Sequence, residues 1–376
     1  MATLQSAVKV LIVGAGVSGL ALAQILRKHG IDFEIFERDD GKSSQGWTLD
    51  LTQASPNQAS GHPDSLAFIN GRTHDLIGVY GSDTSGRPMV MIDRNSLRRI
   101  LSKGLNVQYR KYLSSYEVDQ SGVQAIFQDG TMARGSILVG ADGSRSRVRS
   151  QLLYPFQAVT SKAVILNGEV ELTQSEYEPI LRLGNNGVLF GEPGLKGAMF
   201  IGEWLDVGKA LFHWTCAWLD GDPEQNHAWS EMASREELHG KAVQLTVHLP
   251  SYLADAVKRT GPAGMQKPPI KLVETVLKVD RLPDGPVTIL GDAAHSMVPF
   301  RGMGANTAVL DACDLAQHII QGIGDGRETS AILRAYEEQM IPRGRTKVLE
   351  SRADAESDSN FDVSGGRLER MKGEQR

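Results

Sequence analysis

Val8-Lys9-Val10-Leu11-Ile12-Val13-Gly14-Ala15-Gly16-Val17-Ser18-Gly19-Leu20 is the stretch that decides the fold. Val8–Val13 is a short apolar run rich in β-branched residues, as expected of a parallel strand buried on both faces. Gly14–Gly19 reads as a turn. Gly14 permits the tight bend, Gly16 lets the backbone approach a pyrophosphate, and Gly19 lets helix and strand pack closely. Leu20–His29 carries helical spacing, and Phe33–Phe36 reads as a second strand. The helix start offers unpaired N–H groups and a positive dipole end. Glu37 ends the second strand, where a carboxylate can accept bonds from a ribose hydroxyl, with Arg38 beside it.

Outward from this βαβ opening, residues 42–64 read as loop, Asn95–Leu105 as helix, and 107–127 as a hairpin turning at Gln120-Ser121-Gly122. Ile137–Val139 and Val287–Leu290 are further strands of the buried type. Between them, from about 160 to 276, longer alternating segments predict an antiparallel sheet. Asn306–Gly322 is a strong helix pattern. Thr329–Asp354 reads as helix with a break at Pro342, its Arg and Glu residues forming a solvated face, and the last twenty residues read as a loose tail. The expected fold is α/β, a Rossmann-type parallel-sheet domain interleaved with an antiparallel-sheet substrate domain and followed by a C-terminal helix. The nucleotide domain takes 1–65, 93–160 and 277–327, the substrate domain takes 66–92 and 161–276, and helix and tail take 328–376.

Composition narrows the function classes. Of 376 residues, 41% are hydrophobic and 23% charged, and 40 basic against 45 acidic residues leave a net charge of −5. Nothing there calls for a nucleic-acid or anionic-membrane partner. Cys216 and Cys313, two well-separated cysteines, do not make a disulfide framework or a zinc site and read as two buried thiols. Val8–Val13 runs into a glycine turn without a cleavage pattern, so no secretory signal is expected. No later run approaches the ~20 apolar residues of a membrane helix. The cytoplasm is the expected location.

Two further motifs end buried strands. Val139-Gly140-Ala141-Asp142-Gly143-Ser144-Arg145-Ser146 is one. The other is Ile289-Leu290-Gly291-Asp292-Ala293-Ala294-His295, followed by Pro299-Phe300-Arg301-Gly302-Met303-Gly304-Ala305-Asn306. The Gly291-Asp292 pair places a carboxylate where it can accept hydroxyl bonds from a polyol. The glycine loop and the helix start at Gly304, Ala305 and Asn306 point N–H groups at whatever anion lies there. His295 reads as a residue that orders the loop rather than a base. Asp292 is expected to be a buried acceptor and Glu37 to sit nearer the rim.

Together these motifs resemble the group A flavin monooxygenases of the para-hydroxybenzoate-hydroxylase type. That resemblance implies non-covalent FAD, its ADP half on the glycine fingerprint, Asp142-Gly143 serving FAD and the nicotinamide cofactor, and Gly291-Asp292 holding the ribityl chain. A closer likeness is to the tetracycline-inactivating branch and its fungal secondary-metabolism relatives. Gly46-Trp47-Thr48-Leu49-Asp50-Leu51 resembles that branch's Gly-Gly-Thr-Leu-Asp-Leu segment, and Ile92-Asp93-Arg94-Asn95-Ser96-Leu97-Arg98 its Arg-containing helix start. Asp50 and Arg94 carry over as FAD contacts, and Pro299 and Gly302 as positions near substrate and flavin. The branch's nicotinamide-binding Arg is replaced by Ser43, with Lys42 beside it.

The implied reaction uses NADPH or NADH and O₂ to hydroxylate or epoxidise an aromatic or polycyclic small molecule through a flavin C4a-hydroperoxide, the cofactor supplying the hard chemistry. The alternatives are a flavin dehydrogenase or reductase without oxygen insertion, which Ser43 would suit, and a non-catalytic flavin- or ligand-binding protein. No zinc-protease pattern or nucleophile elbow is visible. On Ala210–Leu219, alternation puts Phe212, Trp214, Cys216 and Trp218 on one face and His213 and Thr215 on the other. Phe212, His213 and Asn167 are the candidate substrate contacts.

Overall fold

The computed structural model describes residues 8–42, 48–52, 65–80 and 89–356. The chain divides into two units. One comprises Met1–Gly46, Arg94–Val159 and Val273–Ser351, and the other Trp47–Asp93, Thr160–Leu272 and Arg352–Arg376.

The first unit is built on a five-stranded sheet in the order Val287–Ile289, Ile137–Gly140, Lys9–Val13, Asp32–Phe36, Val107–Gln108. Every pairing in it is parallel. Its strands are continuous apolar runs because both faces are covered. Val10, Leu11, Ile12, Ile137, Leu138 and Val139 are wholly buried. The fingerprint helix Val17–Lys28 buries Leu20, Leu22, Ala23 and Leu26 in the same core, which the long helix Met303–Gly324 joins through Ala312, Leu315, Ala316 and Ile319. An antiparallel three-stranded sheet, Leu113–Asp119, Gly122–Phe127 and Met132–Gly135, completes the unit.

Helix Thr329–Glu356 runs through Pro342, where the sequence suggested a break. A proline inside a helix costs about 3 kcal/mol. Ile332, Leu333, Tyr336, Met340 and Ile341 are buried in the core before it, Val348 and Ala355 are buried after it, and that packing outweighs the lost hydrogen bond. The long helix starts at Met303 rather than Asn306, so Gly304, Ala305 and Asn306 form its first turn.

The second unit carries a six-stranded sheet in the order Val164–Thr173, Lys209–Trp218, Leu195–Asp206, Gly187–Glu192, Leu66–Asn70, Leu76–Tyr80. It is antiparallel except where Gly187–Glu192 runs parallel to Leu66–Asn70. Helices Pro223–Met232, Arg235–Thr246 and Ser251–Thr260 lie within the span read as sheet alone. A separate pair, Thr48–Thr52 with Met89–Asp93, places a strand in the segment read as loop. That pairing accounts for the unit boundary at residue 46 instead of 65.

One face of the six-stranded sheet is core. Phe212, Trp214 and Cys216 pack with Val164, Leu166 and Met199 against Leu238, Leu253 and Val257 of the helices. Fully burying one such side chain contributes about 1.5–3 kcal/mol. Cys216 is buried there, whereas Cys313 is exposed, contrary to the expectation of two buried thiols. Among the described residues no helix is long and apolar enough to cross a membrane. Residues 357–376, read as a tail, and Ser43 lie outside the described residues.

Candidate functional site

The fingerprint turn is fixed by two backbone bonds: Gly14 N–H donates to Phe36 O at 2.7 Å and Ala141 N–H to Val13 O at 2.7 Å. Gly14 has φ +111°, and a Cβ there would overlap the Ala141 carbonyl; a Cβ at Gly19 would overlap the Gly14 carbonyl. Both positions therefore exclude any other residue. Gly16 differs, because a Cβ there would meet no protein atom within 4 Å. It caps the Val17–Lys28 helix without a side-chain bond, so the free N–H groups of the first turn open onto clear space. That is the shape a diphosphate requires, and these residues fit the pyrophosphate of FAD.

Glu37 is buried, 7% exposed. Its carboxylate accepts the Ala15 N–H at 2.7 Å and the Asp39 N–H at 3.1 Å. Asp292, by contrast, is exposed at the start of the short helix Asp292–His295. The expected order, Asp292 buried and Glu37 at the rim, is reversed. The reason is local: Glu37 turns inward onto the glycine turn, while φ +58° at Gly291 brings the chain off its strand with Asp292 outward. Arg38 is exposed beside Glu37. Arg98, which sequence reasoning passed over as a contact, donates to Ala15 O and Asp39 Oδ2, each at 3.2 Å. Arg94 opens the same helix and is half-buried. Asp50 is paired in register with Met91, and its side chain lies outside the described residues.

Asp142 is half-buried. Its carboxylate accepts from Ser146 Oγ at 2.5 Å, Arg147 N at 2.7 Å and Val148 N at 3.3 Å, holding the start of helix Arg147–Leu152. Burial pushes its pKa up, against those bonds. Gly143 follows with φ +83°. The link from this loop to the Gly291-Asp292 turn is Arg149, also missed from sequence. It is 2% exposed. Its guanidinium donates to Ala293 O at 2.8 Å and Ser144 O at 2.7 Å, and lies 4.6 Å over the Phe156 ring. Burial lowers its pKa to about 10, opposed by Asp142 and Asp292, so it stays cationic near neutrality.

Beneath the Gly291-Asp292 turn lies a buried ion network. Asp311 Oδ2 accepts the Gly291 N–H at 2.9 Å and meets His295 Nε2 at 2.5 Å. Arg343 donates to Asp311 Oδ1 at 2.9 Å and reaches Asp314 at 2.8 Å. Arg343 is thus part of the site's support, and Glu337 is only 6% exposed. Neither belongs to the solvated face expected for this helix. Downstream, Pro299–Arg301 forms a single 3₁₀ turn, and Gly302 takes the left-handed conformation, φ +63°, that launches the long helix. The half-buried Gly304 and Ala305 follow in its first turn, where N–H groups have no intrahelical acceptor, and Asn306 closes that turn, its Nδ2 donating to Gly302 O at 3.2 Å. A Cβ at Gly304 would come no nearer than 4.0 Å to Met297.

In the second unit, His213 lies on the sheet face opposite the core. The register aligns it with Glu169 and Phe200, and aligns Asn167 with Thr215 and Ala198. A small apolar cluster of Leu66, Phe68 and Phe200 occupies this face, with Met91 and Leu189 against it. Burial lowers the His213 pKa, although Glu169, Asp93 and Glu203 oppose it, so the ring is neutral near pH 7. Asn167 is 1% exposed, donates to Gln266 Oε1 at 3.0 Å, and keeps an Oδ1 without a bond among the described residues. Phe212 is not on this face: it is fully buried and stacks on Tyr177 at 6.1 Å, a core residue and not a lining one.

Residues 7–351 match the FAD binding domain family. The FAD-dependent monooxygenase thnD of Trichoderma harzianum is 30% identical over 374 residues, covering 91% of this chain and 92% of the relative. The FAD-dependent monooxygenase phnB of Penicillium herquei is 27% identical, covering 90% and 88%. Among solved structures, Klebsiella pneumoniae HpxO complexed with FAD and uric acid superposes with a TM-score of 0.74 at 21% identity, covering 98% of this chain and 94% of that one. The 2,6-dihydroxypyridine-3-hydroxylase of Arthrobacter nicotinovorans has a TM-score of 0.74 at 18% identity, covering 93% and 92%.

Proposed function

This chain belongs to the FAD binding domain family and is an FAD-dependent monooxygenase; from that premise we propose that it takes electrons from NADPH or NADH and transfers one atom of O₂ to an aromatic or polycyclic small molecule of secondary metabolism. The observation that carries the reading is the convergence, on one parallel sheet, of the open fingerprint cradle at Gly16, the acceptor Glu37 and the outward Asp292. When bound, FAD supplies the redox chemistry, accepting reducing equivalents from the nicotinamide and activating O₂.

The residues divide that work by position. The N–H groups after Gly16 hold the pyrophosphate, and Glu37, which has lone pairs left beyond its two backbone bonds, takes ribose hydroxyls. Arg38, Arg94 and Asp50 flank the nucleotide. Asp292 accepts from the ribityl chain. The first turn at Gly304 and Ala305 would present N–H dipoles to the flavin ring, with Asn306 closing that turn and Pro299 and Gly302 shaping the approach. Asp142 and Gly143 act through the loop they fix, because the Asp142 carboxylate is spent on capping helix Arg147–Leu152. On the second unit, neutral His213 orients the polar group of the substrate, and the buried Asn167 lies on the same sheet face.

The test is isotopic. Under ¹⁸O₂, with NADPH or NADH and a panel of phenols and polycyclic phenols, a product carrying one labelled atom is expected. Label appearing only in hydrogen peroxide with every compound would replace this reading with a reductase.

A further inference from the structure

The ion network below the Gly291-Asp292 turn joins three elements: the short helix Asp292–His295, the long helix Met303–Gly324 and the last helix Thr329–Glu356. Asp311 is 0% exposed and is the hub, with both oxygens committed. One contact in it needs explanation. Glycine in a helix interior costs about 1 kcal/mol relative to alanine, yet Gly344 sits inside the last helix. A Cβ at that position would lie 2.6 Å from His295 Cδ2 and 2.9 Å from His295 Cβ. The helix lacks a side chain where the imidazole lies against it. His295 Nδ1 has no hydrogen-bond partner among the described residues, so its pairing with Asp311 and its packing on Gly344 are what orient the ring.

We propose that His295 is a positioning residue for the cofactor site: seated on Gly344, it clamps the Asp311 carboxylate that grips the Gly291 N–H, and so fixes the direction in which Asp292 leaves its strand. This rests on the reading of Asp292 as the ribityl acceptor. Asp311 favours the imidazolium form of the ring. Burial alone would lower its pKa, but Asp311 and, less strongly, Asp292 raise it above the ordinary 6.5. The charged groups acting on it are Asp292 on its own helix and Asp311 on the long helix, with Arg343 of the last helix bound to Asp311 and Asp314 bound to Arg343. The Tyr336 phenol, whose pKa lies well above 10, stays neutral. A base whose pKa is raised on folding contributes its full effect below the unfolded value and loses it as pH rises through the folded value. The grip on Gly291 therefore weakens on the alkaline side of 6.5, and FAD affinity weakens with it.

The experiment measures the FAD dissociation constant of the apoprotein by flavin fluorescence between about pH 6 and pH 9, together with apoprotein melting. The wild-type constant should rise across that range. His295→Gln should weaken FAD about tenfold at the acidic end, equivalent to ~1.4 kcal/mol, and flatten the profile. Gly344→Ala should weaken FAD in the same way, by displacing the ring. Glu337→Gln should keep the wild-type profile, which separates His295 from the other buried group titrating near neutrality. A wild-type profile that is flat, or a His295→Gln variant that melts lower but keeps wild-type FAD affinity and pH dependence, would overturn the proposal and leave His295 as packing. If His295→Gln does not fold, the wild-type, Gly344→Ala and Glu337→Gln profiles still decide it. Asp292→Asn is measured alongside. If it leaves FAD affinity unchanged, the Asp292 reading fails, whereas an Asp292 effect without a His295 effect removes only the positioning role.

Discussion

Removing the Glu37 side chain should destabilise the protein before any cofactor is added. In Glu37→Ala the Ala15 and Asp39 N–H groups lose their acceptors, which now stand at 2.7 and 3.1 Å. The first of these donors is inside the glycine turn. A hydrogen bond to a charged group contributes about 1.5–3 kcal/mol. Taking the lower figure for each, since water can reach a truncated site, gives a loss of about 3 kcal/mol. At roughly 2–4 °C per kcal/mol for a domain of this size, the apoprotein should melt about 6–12 °C lower. Glu37→Gln keeps one acceptor oxygen and should lose about half as much. Asp292→Ala removes an exposed carboxylate and should leave apoprotein melting within about 1 °C, while weakening FAD in a titration. Scanning fluorimetry on FAD-stripped protein measures all three. An Asp292→Ala variant that melts as low as Glu37→Ala, or a Glu37→Ala variant that melts with wild type, would refute the assignment of Glu37 as the internal brace of the turn.

Gly14→Ala should abolish folding of the nucleotide unit, because the new Cβ overlaps the Ala141 carbonyl at a φ of +111°; far-UV circular dichroism and a melt check this. Gly304→Val should fold normally, since nothing stands closer than 4.0 Å to a Cβ there, yet bind FAD weakly, whereas Gly302→Ala should destabilise the apoprotein by about 1 kcal/mol or more because φ is +63°. Glu337 has its pKa raised to about 7, by burial against the opposing Thr288 and Arg334. An acid raised on folding keeps its proton in the folded state after the unfolded chain has lost it, so its contribution falls as pH climbs from the usual carboxylate range to about 7. Glu337→Gln should thus gain melting temperature over wild type progressively across that window, and a constant difference would contradict the buried acid.

The nucleotide unit was legible because its signals are local and stereochemical. A glycine that must take positive φ, a strand buried on both faces and an acid after the second strand each mark themselves over a few residues, as Gly14, Val10–Val13 and Glu37 do. Two helices of the second unit, Pro223–Met232 and Arg235–Thr246, carried start signals that the strand alternation around them obscured: Asp222 before Pro223, and a capping box from Ser234 to Glu237. Phe212 and Trp214 showed which residues share a face, but period-two alternation does not say which face meets helices. The exposure of Asp292 and the burial of Glu37 depend on how two turns point, which no spacing encodes. Asp311 did leave a trace, an acid at helical spacing among Thr307, Ala308, Ala312 and Leu315. Its partner Arg343 lies 32 residues away on another helix, beyond the reach of any periodicity.

The division of the first unit among three stretches of chain sets the order in which the protein can be made. Lys9–Val13 waits for Ile137–Gly140 to pair on one side, and that strand waits in turn for Val287–Ile289. Contacts so distant in sequence are slow to form, because chain entropy is lost before they stabilise anything. The hairpin strands Leu195–Asp206 and Lys209–Trp218 pair across a few residues and can form early. On the ribosome, the six-stranded sheet should therefore become protected while the parallel sheet is still incomplete, and the apolar strand Ile137–Gly140 lacks its second neighbour until nearly 290 residues have emerged. Slow synthesis or premature termination before Val287 should yield aggregation through that strand rather than a shorter, working flavoprotein.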